Sequence, residues 1–166
     1  MRTLLIVLAV VFLGAPALAQ DIVGDAVALH GDAIIIGTTR VPLYRIDAPD
    51  ADQDRNCTLE RWLFGCYTNA KRALEILVDQ GPATCTPSGK TNYIGFPYSV
   101  CMVAGVDIGR ELVRQGWALA FLPLSDVYAE DEAEARAAGV GLWQEGVRFA
   151  IPWEYRAQFE RALFGD

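Results

Sequence analysis

The chain predicts a mixed α+β domain, mainly β, built as a five-stranded OB-type barrel with about three helices. Three observations predict it. Short β-branched or apolar runs alternate with turn residues, early in the chain and again between positions 83 and 103. One helical pattern is inserted between those two groups of strands. Two further helical stretches follow them.

Taken in order, residues 21–29 are rich in Val and Ala and predict the first strand. Ile34–Ile36 is a β-branched run, Gly37–Thr39 carries turn chemistry, and Val41–Ile46 resumes strand composition, so a hairpin is expected. Residues 51–65 are polar and irregular. Between 67 and 80, Ala70, Ala73, Leu74, Leu77 and Val78 recur at helical spacing, and Gly81-Pro82 ends the helix. Residues 83–86 begin a strand, Pro87-Ser88-Gly89 predicts its turn, and 98–103 predicts the returning strand. Ala104-Gly105 is a second turn. A short helix over 108–115 stops at Gly116, and the apolar residues 117–122 predict a buried segment. Ser125 is placed to cap the next helix, with Asp126 and Glu130 near its positive end and Gly139 as its stop. Trp143, Trp153 and Phe159 predict a C-terminal wrap against the core. No repeat or linker divides residues 20–166, which read as one domain.

The first nineteen residues are of another kind. Met1-Arg2-Thr3 is a short positive start, residues 4–13 are apolar, and Ala17-Leu18-Ala19 is a small-residue cleavage site. That is the pattern of a secretory signal peptide cut after Ala19. The apolar run is too short to span a membrane, and no Cys follows the cut. The expectation is export to the periplasm or the exterior as a monomer with no membrane anchor. The formal charge of −7 becomes −8 when Arg2 leaves with the leader. Such an acidic domain is a poor general trap for nucleic acid, whose affinity comes mainly from phosphate neutralisation. The four cysteines allow three pairings. In an exported chain an even count suggests disulfides. Cys57–Cys66, closing a loop, and Cys85–Cys101, joining neighbouring strands, are preferred. A zinc site is the alternative, opposed by the absence of any pair spaced two apart and by a single, distant His.

The chemistry-bearing stretch runs from His30 to Asp50. A hairpin folds its ends together and so brings Asp32 near Asp47 and Asp50. Three converging carboxylates repel each other unless a cation intervenes, and hard oxygen ligands suit calcium or magnesium. The alternative is three solvated loop aspartates, and spacing alone favours that alternative. His30 reads as a solvated turn residue rather than a transition-metal ligand. Tyr93, Phe96 and Tyr98 would suit a base-stacking platform. Without a basic groove they read instead as an exposed Tyr93 and a core-packed Tyr98.

The same stretch resembles the thermonuclease, or staphylococcal-nuclease-like, family. That family's signature runs Asp-Gly-Asp-Thr, a hairpin, then Arg-Leu-x-Gly-Ile-Asp-x-Pro-Glu. Gly31-Asp32 matches its start and Leu43 with Ile46-Asp47-Ala48-Pro49-Asp50 its end, with the spacing kept. Gly109–Ala118 resembles the family's second helix, and Ala137-Ala138-Gly139-Val140-Gly141-Leu142-Trp143 its final Ala-x-Gly-x-Gly-Leu-Trp element. The resemblance implies the OB fold and calcium-dependent hydrolysis of nucleic-acid phosphodiesters. It implies that Asp32, Asp47 and the main-chain carbonyl of Ala48 bind the metal. Asp50, reaching the metal through water, takes the place of the family's water-handling Glu.

The departures carry the functional expectation. Asp50 is one methylene shorter than Glu. The two family arginines that neutralise charge on phosphorus fall at Pro42 and Phe96, and neither can donate a hydrogen bond to a phosphoryl oxygen. The first Asp and the Thr of the turn are His30 and Ala33. Leu122-Pro123-Leu124 is apolar where exported relatives often carry basic and tyrosine residues. Arg40, about 6.6 Å along the strand from Pro42, and Lys90 are the candidate substitutes, while Arg45 is at an odd offset and faces away. The expectation is an impaired or inactive relative, a binding or structural module whose remnant acidic site binds a cation such as calcium weakly, or that binds a protein or small ligand on the barrel face. The alternative is an active calcium-dependent nuclease cutting DNA or RNA.

Overall fold

The computed structural model describes residues 20–92 and 94–164; the expected leader and Tyr93 lie outside them, as does the side chain of Phe159. Among the described residues the chain forms twelve short strands and four α-helices. Strands β1 (Ile22–Gly24) and β2 (Ala26–Ala28) occupy the stretch expected as one strand. Gly24, at φ 156°, breaks it, and the two halves join different sheets: β1 pairs with β8, β2 with β3. Strands β3 (Ala33–Ile36) and β4 (Thr39–Pro42) form the expected hairpin. Its second arm is shorter than the composition suggests. Arg45, at φ 74°, turns the chain, and β5 (Ile46–Asp47) then pairs with a later strand.

A 3-10 turn over Ala51–Asn56 leads to a small hairpin, β6 (Thr58–Leu59) and β7 (Trp62–Leu63). Helix α1 (Cys66–Val78) buries Ala70, Ala73, Leu74, Leu77 and Val78, the five residues expected on its inner face. Strands β8 (Ala83–Thr91) and β9 (Pro97–Val103) are antiparallel. Here the expected turn is misplaced. Pro87-Ser88-Gly89 lies inside β8, where the register shifts between Pro87 and Thr91, and the chain reverses at residues 92–96 instead. Asn92 makes that reversal: its Oδ1 accepts from the Ile94 and Phe96 N–H groups at 3.2 and 2.9 Å. Proline and glycine serve a bulge as readily as a turn.

Ala104 and Gly105, both at positive φ, close a two-residue hairpin between β9 and β10 (Val106–Asp107), as primed turns require. Asp107 caps α2 (Ile108–Arg114) by accepting from the N–H groups of Gly109 and Arg110. Strand β11 (Leu119–Ala120) pairs with β5. Ala118, Leu119 and Ala120 are buried as expected, but Leu122 is exposed. Ser125 caps a turn, accepting from Val127 N–H, and α3 (Ala129–Ala138) starts later than expected, ending at Gly139. A second 3-10 turn (Gly141–Trp143) and β12 (Val147–Arg148) precede α4 (Pro152–Phe164). The Gly-Leu-Trp element follows from packing. A Cβ at Gly141 would lie 2.5 Å from the Gln115 and Gly116 backbone, so the end of α2 demands glycine there.

The strands make four antiparallel sheets, in the orders β1-β8-β9-β10, β2-β3-β4, β11-β5 and β12-β6-β7. This is a mixed α+β fold with more strands than the five expected, and no closed barrel is traced among the described residues. A bridge between Leu43 and Ser99, with Tyr44 N–H donating to the Ser99 carbonyl at 2.9 Å, ties the end of β4 to β9. The main core lies between these sheets and α1 and α2. A second cluster gathers Leu119 and Leu142 around the Cys57–Cys66 disulfide, with Trp143 and Trp153 packed on it. The other disulfide joins Cys85 to Cys101, directly opposite each other on β8 and β9. Both preferred pairings are therefore present.

Candidate functional site

The turn before β3 and the end of β4 are stitched together, because Leu43 N–H donates to the Asp32 carbonyl at 2.8 Å. Gly31 allows the close approach: a Cβ there would lie 2.8 Å from the Cβ atoms of both Ala48 and Ala70. Asp32 is thereby set against the chain following β5, and its Oδ2 accepts from Ala48 N–H at 3.2 Å. Asp47 is carried by β5, paired with Leu119 of β11, and is only 4% exposed. Asp50 precedes the first 3-10 turn, where its N–H donates to Gln53 Oε1 at 2.8 Å.

Asp32, Asp47 and Asp50 all line one cavity of about 320 Å³. Pro42 and Phe96, the residues standing where the resemblance places arginines, line it as well. So do the exposed His30 and, of the two candidate substitutes, Arg40. Lys90 is not among the lining residues; its Nζ sits 6.0 Å from the Tyr44 ring, which also carries the Arg45 guanidinium at 4.7 Å. Tyr98 is half-buried and faces the cavity, where the sequence suggested core packing. The strand lifts it there because Ser99, its neighbour, takes the buried position and successive strand residues alternate faces.

One residue was missed altogether. Arg156, on α4, reaches into the cavity, its Nη2 2.5 Å from Asp47 Oδ2 and its Nη1 2.7 Å from Asp50 Oδ2. These partners are 109 and 106 residues away in sequence. No local spacing or motif connects them, and the only signal would have been the charge of an arginine on the first turns of a C-terminal helix.

The electrostatics follow from burial and crowding. Desolvation, and then the neighbouring Asp32 charge, raises the Asp47 carboxyl from 3.8 to about 7, against the opposing pull of Arg156. Burial also raises Asp32, with the Ala48 N–H bond opposing it. Tyr98 is raised by burial and by the charges of Asp47 and Asp32. Burial pulls Arg156 down, but its hydrogen bond to Asp47 and the adjoining carboxylate charges push it above the usual arginine range. The Arg156 guanidinium thus pairs with two of the three carboxylates, while Asp32 is held by a backbone N–H.

A calcium ion needs several oxygens aimed at one point. Asp47 and Asp50 each turn an oxygen to Arg156, Asp32 turns one to a backbone N–H, and among the described residues no group of three or more His, Cys, Asp or Glu could hold a metal ion. As arranged, one oxygen of each carboxylate is already engaged.

Comparison with known proteins agrees with the signature residues. The family model described as "Staphylococcal nuclease homologue" matches residues 40–145. The match takes in Pro42, Asp47, Asp50 and Phe96, and it leaves Asp32 and Arg156 outside. A curated relative, the "Succinoglycan biosynthesis protein ExoI" of Rhizobium meliloti (strain 1021), is 30% identical over 129 residues, covering 76% of this chain. The chain spans 66% of that relative's length. With more than half of its residues matched by the family model, the chain belongs to the staphylococcal nuclease homologue family.

Proposed function

We propose that this protein is an exported, non-hydrolytic member of the family that uses the cavity to bind a protein segment or small ligand. One observation carries the reading. Pro42 and Phe96 line the cavity at the positions where the family's phosphate-neutralising arginines belong. Each lost donor of that kind typically costs about 10² to 10³ in rate. The cation that does enter, Arg156, is already bound to Asp47 and Asp50. The two disulfides fit an extracellular or periplasmic protein, and among the described residues no helix is long and apolar enough to cross a membrane. The split first strand and the Leu43–Ser99 bridge support reading the two larger sheets as one OB-type barrel with the cavity on its face.

The test is cleavage. Mature protein is incubated with single-stranded DNA and with RNA, in calcium and in chelator. The expected outcome is no product beyond the protein-free control. Calcium-dependent cleavage that disappears in Asp32→Ala would instead establish the second reading, an active nuclease. That reading is favoured by Arg40, which lines the cavity. Because the ExoI relative is named for succinoglycan biosynthesis, succinoglycan belongs in the ligand screen beside peptides.

A further inference from the structure

Two of the three carboxylates of the cavity are held by a cation that the chain itself supplies. A single planar guanidinium spans Asp47 Oδ2 at 2.5 Å and Asp50 Oδ2 at 2.7 Å. Such charge-assisted pairs are the strong class of hydrogen bond, and the rigid arginine fork suits two oxygens at once. The arm that delivers Arg156 is fixed on several sides. Trp153 packs on Phe121 with ring centroids 5.5 Å apart. Tyr155 Oη donates to Asp52 Oδ2 at 3.1 Å. Gln53 Nε2 donates to the Ala150 carbonyl at 3.0 Å, just before the helix begins. The start of α4 is therefore docked on the segment that contains Asp50, and Arg156 points inward from it. Helix α4 lies beyond residues 40–145, so the cation comes from outside the part of the chain that the family model matches.

A divalent ion would need Asp47 oxygen at roughly 2.3 to 2.6 Å. Arg156 Nη2 already sits at that distance from the same carboxylate. Two cations cannot share that oxygen at such range without strong like-charge repulsion, and the burial of the Asp47 carboxylate leaves it poorly screened.

We propose that Arg156 is the resident cation of this cavity, standing where a divalent ion would balance Asp47 and latching α4 to the acidic cluster. Calcium then gains access only when Arg156 is removed or displaced. The inference concerns charge balance: a cavity that only binds a ligand is compatible with it, whereas calcium-dependent cleavage by the wild type is not. Its readout is metal binding and melting rather than turnover.

The experiment compares wild type, R156Q and R156K by thermal melting in chelator and in calcium chloride, with calorimetric titration of calcium into each. A ligand that binds only the folded state raises the melting midpoint by mass action. Wild type and R156K should melt within about 1 °C of themselves in chelator and in ~5 mM calcium. R156Q should melt lower in chelator and recover several degrees in calcium, with a calorimetric binding signal that wild type lacks. The proposal is overturned if wild type binds calcium as tightly as R156Q, or if R156Q is indifferent to calcium. Should R156Q fail to fold in chelator, its refolding is attempted in calcium. Recovery of native circular dichroism supports the proposal and its absence overturns it.

Discussion

Asp47 is enclosed, bound to one guanidinium and crowded by a second carboxylate, and this makes the cavity sensitive to pH. Its carboxyl stands at about 7 in the folded protein against 3.8 unfolded. The folded state therefore holds the proton more tightly. The stability this contributes is full below the unfolded value and is lost as pH climbs through about 7. Thermal melts from pH 5 to 8 should show a falling midpoint, and Asp47→Asn should flatten the slope. A midpoint that rises over the same window would contradict the assignment. At this scale the sequence was half legible. Asp32, Asp47 and Asp50 could be brought together on paper because they lie on one hairpin and its continuation. Pro42 and Phe96, singled out through the resemblance, line the same cavity as these carboxylates. Arg156 could not be singled out, since its only link to the cluster is tertiary, across 106 and 109 residues.

The elements show what local chemistry decides and what packing decides. Helix α1 was legible because a 3.6-residue apolar period has one solution, a helix with that face turned inward. The β8–β9 reversal was not, because Pro87 and Gly89 suit a bulge as well as a turn, and Asn92 claimed the turn with its own side chain. The later start of α3 has a similar cause: Ser125 spends its hydroxyl on Val127 in the preceding turn. The β8–β9 pair is also locked covalently. Cys85 and Cys101 face each other across the ladder and close a loop with a sequence separation of 16. Loop-closure entropy puts the value of such a bridge at about 3 kcal/mol. The Cys85→Ala/Cys101→Ala variant should lose that much in urea denaturation. A loss under about 1 kcal/mol would show that the reduced chain is already constrained there.

At the scale of the whole molecule, the fold of a nuclease family carries an unusual distribution of charge. The chain is acidic overall, at −7. The cavity gathers three of its carboxylates, and Arg156, the cation paired with two of them, is thereby engaged. Two disulfides and two apolar clusters surround this arrangement. Affinity for nucleic acid comes chiefly from cations that neutralise phosphates and release counterions, so it should be nearly absent here. Equilibrium binding of a fluorescently labelled single-stranded oligonucleotide, followed by anisotropy at low and moderate salt, measures this most directly. The account predicts no saturation up to about 100 μM protein at either ~50 or ~200 mM salt. Binding below about 10 μM that weakens steeply with salt would contradict it, because that is the signature of a cationic phosphate site.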